Sequence, residues 1–125
     1  MYDLLDRPVS DLPAADRRLL AATRAWVHQL TMAGAGTPAA ADALGGGSEP
    51  FDRAMRALDE GSSETLVFER PCHSTVSETE ALWLAVWRLV RGDRVASAKA
   101  ALAGLVAPGK VAAVLAPMMR VAARA

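Results

Sequence analysis

Apolar side chains recur at helical spacing through most of this chain. Between residues 14 and 33, Leu19, Leu20, Thr23, Trp26, Val27 and Leu30 share one arc at about 100° per residue, and Arg17, Arg24 and His28 fall on the opposite face. Ser10 or Asp11 is the expected cap, and Pro13 suits a first turn, where its missing N–H is harmless. Gly34 and Gly36 end the helix after Ala33. A short helix from Thr37-Pro38 through Leu44 is expected to stop at Gly45-Gly46-Gly47, so residues 34–50 read as a flexible glycine-rich connector. Ser48 then caps a helix with Phe51, Met55 and Leu58 as its buried stripe, and Gly61-Ser62-Ser63 closes it. Residues 64–70 form the core of the only stretch that reads as extended. One such segment makes no sheet, unless it pairs with the same segment of a second chain.

The second half is more sharply patterned. Ser77-Glu78-Thr79-Glu80 is a capping box, and the helix it opens runs to Arg91, with Gly92 as its stop. Leu82, Trp83, Val86, Trp87, Leu89 and Val90 cover well over half of that helix, and Leu84 lies beyond them. A helix this apolar is central in a bundle or contributes to a subunit interface. Asp93 is the expected cap of a helix through about Ala107, which presents Val95, Ala98, Leu102, Leu105 and Val106. A last helix begins near Pro108-Gly109 and buries Val111, Val114, Leu115, Met118, Val121 and Ala122, with Pro117 on its outer face. The fold class this predicts is all-α: a single-domain bundle of about five helices spanning residues 1–125, with one short extended segment near residues 64–70.

Composition narrows the use of such a bundle. Apolar residues make up 52% of the 125, which suits a folded domain, but much of that share is alanine and isoleucine is absent. A core so lean in large side chains invites help from a second subunit. Charge sums to zero yet is uneven: residues 1–80 hold seven Arg against thirteen Asp and Glu, and residues 81–125 hold seven Arg and Lys against Asp93 alone. Either the two halves neutralise each other internally, or the C-terminal third shows a basic face. The run 100–119 has Lys110 as its only charge, but Pro108-Gly109 interrupts it, so two amphipathic helices are expected and no membrane span. The single cysteine, the lack of a secretory leader and the abundance of Arg and Ala point to a bacterial cytoplasmic protein.

Cys72-His73 is the leading candidate for chemistry, since it precedes a capped helix whose N-terminus favours a thiolate. Trp83 and Trp87, four apart, would line the pocket of a small-molecule, haem or redox site built on that pair. Two histidines and one cysteine cannot close a zinc site without carboxylates, and no metal is expected. The acidic residues show no catalytic spacing, Glu80 suits a cap, and no Gly-x-Ser elbow accompanies His73. The last two helices resemble a helix-turn-helix in outline only. The second offers alanines where base-reading side chains are needed, so nucleic acid is not the expected partner. No cofactor is specified by these residues. The leading expectation is therefore a non-enzymatic regulatory or protein-interaction module acting as a homodimer, with Trp83, Leu84 and Trp87 at the subunit interface. The alternative is the Cys72–His73 ligand or redox protein, and a further alternative is nucleic-acid binding through the basic C-terminal helices.

Overall fold

The computed structural model describes residues 5–33, 48–62 and 66–124. Five α-helices make up most of them: α1 (Ala14–Ala33), α2 (Ser48–Gly61), α3 (Glu78–Arg91), α4 (Val95–Leu102) and α5 (Val111–Arg124). No strand occurs among the described residues, and the chain is an all-α bundle. The expected helix at 37–44 and most of the glycine-rich connector lie outside the described residues.

The helix ends follow local chemistry. Ser10 and Asp11 are taken up in a 3-10 turn, Val9–Asp11, so neither caps α1. That helix opens at Pro13, whose carbonyl accepts the Arg17 N–H at 3.0 Å. The capping box of α3 is complete: Ser77 Oγ accepts the Glu80 N–H at 3.3 Å, and a Glu80 oxygen accepts the Ser77 N–H at 3.0 Å. At its other end Asp93, not Gly92, adopts the left-handed conformation, with φ 63°. The Asp93 N–H reaches the Val90 carbonyl and the Arg94 N–H the Leu89 carbonyl, at 3.1 and 2.8 Å. That pattern is a Schellman motif with aspartate at the position glycine normally fills. Asp93 is therefore spent on ending α3, and α4 starts after Arg94 with no side-chain cap.

Two expectations about the C-terminal helices need correction. α4 stops at Leu102 rather than near Ala107. Beyond it the backbone tightens into turns, and Val106 leaves to bridge with Ser62, while the Ala107 N–H donates to the Gly61 carbonyl at 2.9 Å. Pro117 is buried rather than outward, and α5 continues through it. The carbonyl it leaves without a helical N–H belongs to Ala113, an exposed residue. Residues 100–119 are accordingly two helices with a 3-10 turn at Pro108–Lys110 between them, and no described helix is long and apolar enough to cross a membrane.

All five helices contribute to one continuous apolar cluster. α2 and α5 share the most extensive contact, and α3 touches α1, α4 and α5. Trp87 stacks on Phe51 with centroids 6.1 Å apart and meets Trp83 edge-on at 5.8 Å. Trp83, Leu84 and Trp87 are completely buried within the chain itself. The wide apolar arc of α3 thus reflects its central position. Their burial within one chain accounts for that arc without a subunit interface at Trp83, Leu84 and Trp87.

Candidate functional site

The most heavily bonded group of polar residues is one the apolar pattern misplaces. Arg24 does not face solvent with Arg17 and His28; its side chain is 2% exposed and pairs with Glu80, which is 0% exposed. The pairing is bidentate, with Arg24 Nε and Nη2 each 2.8 Å from a Glu80 oxygen. Arg24 also donates to the carbonyls of His73 and Thr75, both at 2.8 Å. Glu80 accepts the backbone N–H groups of Ser77 and Glu69 at 3.0 and 2.9 Å. Burial by itself raises the Glu80 carboxyl's pKa. The bonds from Arg24, Ser77 and Glu69 outweigh that, and the carboxyl ends below its ordinary value. The capping role read from the sequence is real, and it is one part of a larger network.

That network holds the loop 66–77 from beneath. A second set of bonds holds it from the side, where residues 6–9 run antiparallel to 74–76. Asp6 N–H donates to Val76 O, Val76 N–H to Arg7 O and Val9 N–H to Ser74 O, at 3.0, 3.0 and 2.8 Å. Residues 66–70, expected to be extended, are neither helix nor strand, and the antiparallel pairing falls elsewhere. At the tip, the His73 N–H closes a turn onto the Arg70 carbonyl at 3.0 Å, and Cys72 within that turn is exposed and unpaired. His73 is half-buried between two side chains, with Nδ1 3.7 Å from a Glu69 oxygen and Nε2 3.3 Å from Thr75 Oγ1. A carboxylate and a hydroxyl therefore flank the imidazole, the carboxylate beyond hydrogen-bonding distance.

The structure does not bring the other nominated residues to this loop. Trp83 donates its indole N–H to Thr23 Oγ1 at 3.1 Å in the core. Trp87 borders a different cavity, of about 170 Å³, between α1, α3 and α5. A cavity of about 250 Å³ lies under the loop, lined by Trp26, Leu30, Met55, Leu58, Leu66 and Phe68 among others, and neither Cys72 nor His73 reaches it. Among the described residues no three His, Cys, Asp or Glu side chains gather to hold a metal ion.

The uneven charge is partly settled internally. Asp16 of α1 is buried and receives Arg88 at 2.8 Å and Arg91 at 2.7 Å from α3. Burial raises its pKa, the two arginines more than offset this, and the carboxyl is held below its ordinary value. Two cations of the basic third are thereby engaged by the acidic half. The exposed face of α5 carries Ala112, Ala113, Ala116, Met119 and Arg120. No protein-family model matches this chain, and no curated protein or solved structure is found to be similar to it.

Proposed function

We propose that this chain is a protein-interaction module that recognises its partner through the loop 66–77. The observation that carries the reading is the buried Arg24–Glu80 pair. A buried ion pair adds little stability over apolar residues of the same size, and its best-attested use is to specify one conformation. Here it bonds four backbone groups of a single exposed loop: the carbonyls of His73 and Thr75 and the amides of Glu69 and Ser77. The loop in turn presents Val67, which is 56% exposed, together with exposed Arg70, Pro71 and Cys72. An apolar residue and a cation on a pre-ordered loop lose little entropy on docking. The lone unpaired thiol fits a reducing compartment, and we place the protein in the cytoplasm.

Cys72 gives a unique attachment point for the test. A photo-crosslinker on that thiol is irradiated in an extract of the source cells, and the adduct is identified, purified and titrated against the intact chain. Val67→Asp or Arg70→Glu is expected to weaken binding at least about tenfold, equivalent to about 1.4 kcal/mol, whereas Arg120→Ala on the far helix leaves it unchanged. An adduct of the purified chain with itself would identify the partner as a second copy. Affinity indifferent to both loop variants would overturn the reading.

A second reading, thiol chemistry at Cys72, is favoured by its exposure next to His73 in the chain. Its signature is alkylation of Cys72 at neutral pH faster than that of glutathione, slowed by His73→Gln. A rate equal to glutathione's would remove it.

A further inference from the structure

The three tryptophans differ in one respect. The indole N–H of Trp26 donates to Asp52 at 2.9 Å, and that of Trp83 donates to Thr23 at 3.1 Å. The indole N–H of Trp87 is buried and has no acceptor among the described residues. Buried donors are nearly always paired, because an orphan forfeits its hydration. Trp87 also forms part of the wall of the cavity between α1, α3 and α5. The remainder of that wall is Leu19, Val121 and alanines, with Arg18 and Arg91 at its polar edge. Every polar side chain bordering the cavity is therefore a donor, and two are cations. The carboxylate in this region, Asp16, is engaged by Arg88 and Arg91, whereas Arg18 is exposed and has no ion partner among the described residues.

We propose that this cavity is a binding site for a small carboxylate with an apolar, one-ring-sized body. The acid group meets Arg18 at the rim, and the body packs on Leu19 and Val121 beside the buried indole of Trp87. The volume fits: the cavity measures about 170 Å³, and a cavity of about 150 Å³ holds benzene. A neutral apolar ligand would leave Arg18 unanswered, and an organic cation would meet two guanidinium groups. No residue of the loop 66–77 borders this cavity, so this proposal and the loop reading stand or fall separately.

The test uses benzoate as the probe and the uniformly ¹⁵N-labelled full chain. The three indole N–H resonances are assigned with Trp→Phe variants, and Trp87→Phe identifies the one at the cavity. Benzoate is expected to move the Trp87 resonance saturably and to leave that of Trp26 in place. Benzyl alcohol, which has the same ring without the charge, should bind at least about tenfold more weakly, as should benzoate to Arg18→Gln. Arg18 is exposed, so that variant folds even if Trp87→Phe does not. No saturable movement of the Trp87 resonance would overturn the site. Equal binding of benzyl alcohol would overturn the carboxylate class, and indifference to Arg18→Gln would overturn the placement.

Discussion

Replacing Arg24 with methionine tests the central device of this fold. Methionine keeps the length and apolar stem of the side chain but removes all the donors. Glu80 is then left buried, with the Ser77 and Glu69 amides as its remaining partners, and the carbonyls of His73 and Thr75 lose a charged donor. Removing one partner of a buried pair costs about 3–5 kcal/mol. Total stabilities are about 5–15 kcal/mol, so this single change should consume about a fifth of the whole or more. At a urea slope of about 2 kcal/mol/M, a loss of about 4 kcal/mol lowers the unfolding midpoint by about 2 M. Arg24→Met with Glu80→Leu removes both charges and should cost less than the two single losses added together. A coupling of about 3 kcal/mol is expected from the cycle.

Urea unfolding followed by circular dichroism supplies these values, and pH supplies an independent check. In the native chain the Glu80 and Asp16 carboxyls both sit below their ordinary values. Their contribution is then fully present above the unfolded carboxyl pKa of about 4. It is lost as pH falls through the lower folded values. In Arg24→Met the sign at Glu80 reverses, because burial without the guanidinium favours the neutral acid. The deficit of the variant should therefore shrink as pH is lowered from neutral toward 4. A loss below about 1 kcal/mol at pH 7, within the range of an exposed pair, or additive single losses, would refute the claim that the pair is buried and coupled in solution.

Three further outcomes follow from single positions. Asp93→Gly relieves a left-handed residue that costs an L-amino acid about 1–2 kcal/mol, less the added freedom of two consecutive glycines in the unfolded chain, so thermal unfolding should show a gain of about 0.5–1 kcal/mol; a loss would mean that the aspartate side chain is needed at the end of α3. Gly61→Ala should cost about 1–3 kcal/mol by overpacking, because a Cβ at Gly61 would stand 2.7 Å from Lys110 Cβ, whereas one at Gly109 meets nothing within 4 Å and Gly109→Ala should be nearly neutral. Cys72 is exposed, so a thiol reagent should titrate one equivalent per chain without denaturant; reaction only after unfolding would contradict an exposed turn at 70–73.

The elements legible in the sequence are those set by local chemistry. The capping box at Ser77, the apolar stripes of α2 and α5, and the break in the run 100–119 all depend on residues within a turn or two of each other. The centrality of α3 is legible too, as one of two readings of its wide arc. What stays hidden depends on distant residues. Val106 leaves α4 because Ser62 is there to receive it, and residues 74–76 pair with a proline-containing lead-in that has no strand pattern. Arg24 reads as solvent-facing because it falls outside the arc of Leu19 and Leu30. At about 100° per residue, however, it lies only about 40° beyond Leu20, and Asp16 lies inside the arc. A carboxylate within an apolar arc is the available sign that this face of α1 meets polar partners.

Those partners fall in a regular order. Asp16 meets Arg88 and Arg91, Thr23 meets Trp83, and Arg24 meets Glu80. Numbers rise along α1 as they fall along α3, so the two helices run antiparallel. Asp16 and Arg24 are separated by the same interval as Glu80 and Arg88, and their charges are opposite at both ends. A reversal of either helix would bring Asp16 toward Glu80 and Arg24 toward Arg88, and a slip of one turn would part both pairs. Alanine-rich helices offer few shape-specific knobs, and apolar packing alone tolerates such slips. The ion pairs penalise them through unmatched buried charge. The contact between α2 and α5, whose Phe51, Met55, Leu58, Val114 and Met118 are all in the core, supplies burial. The contact between α1 and α3 supplies register, and the loop 66–77 inherits its position from that register through Arg24 and Glu80.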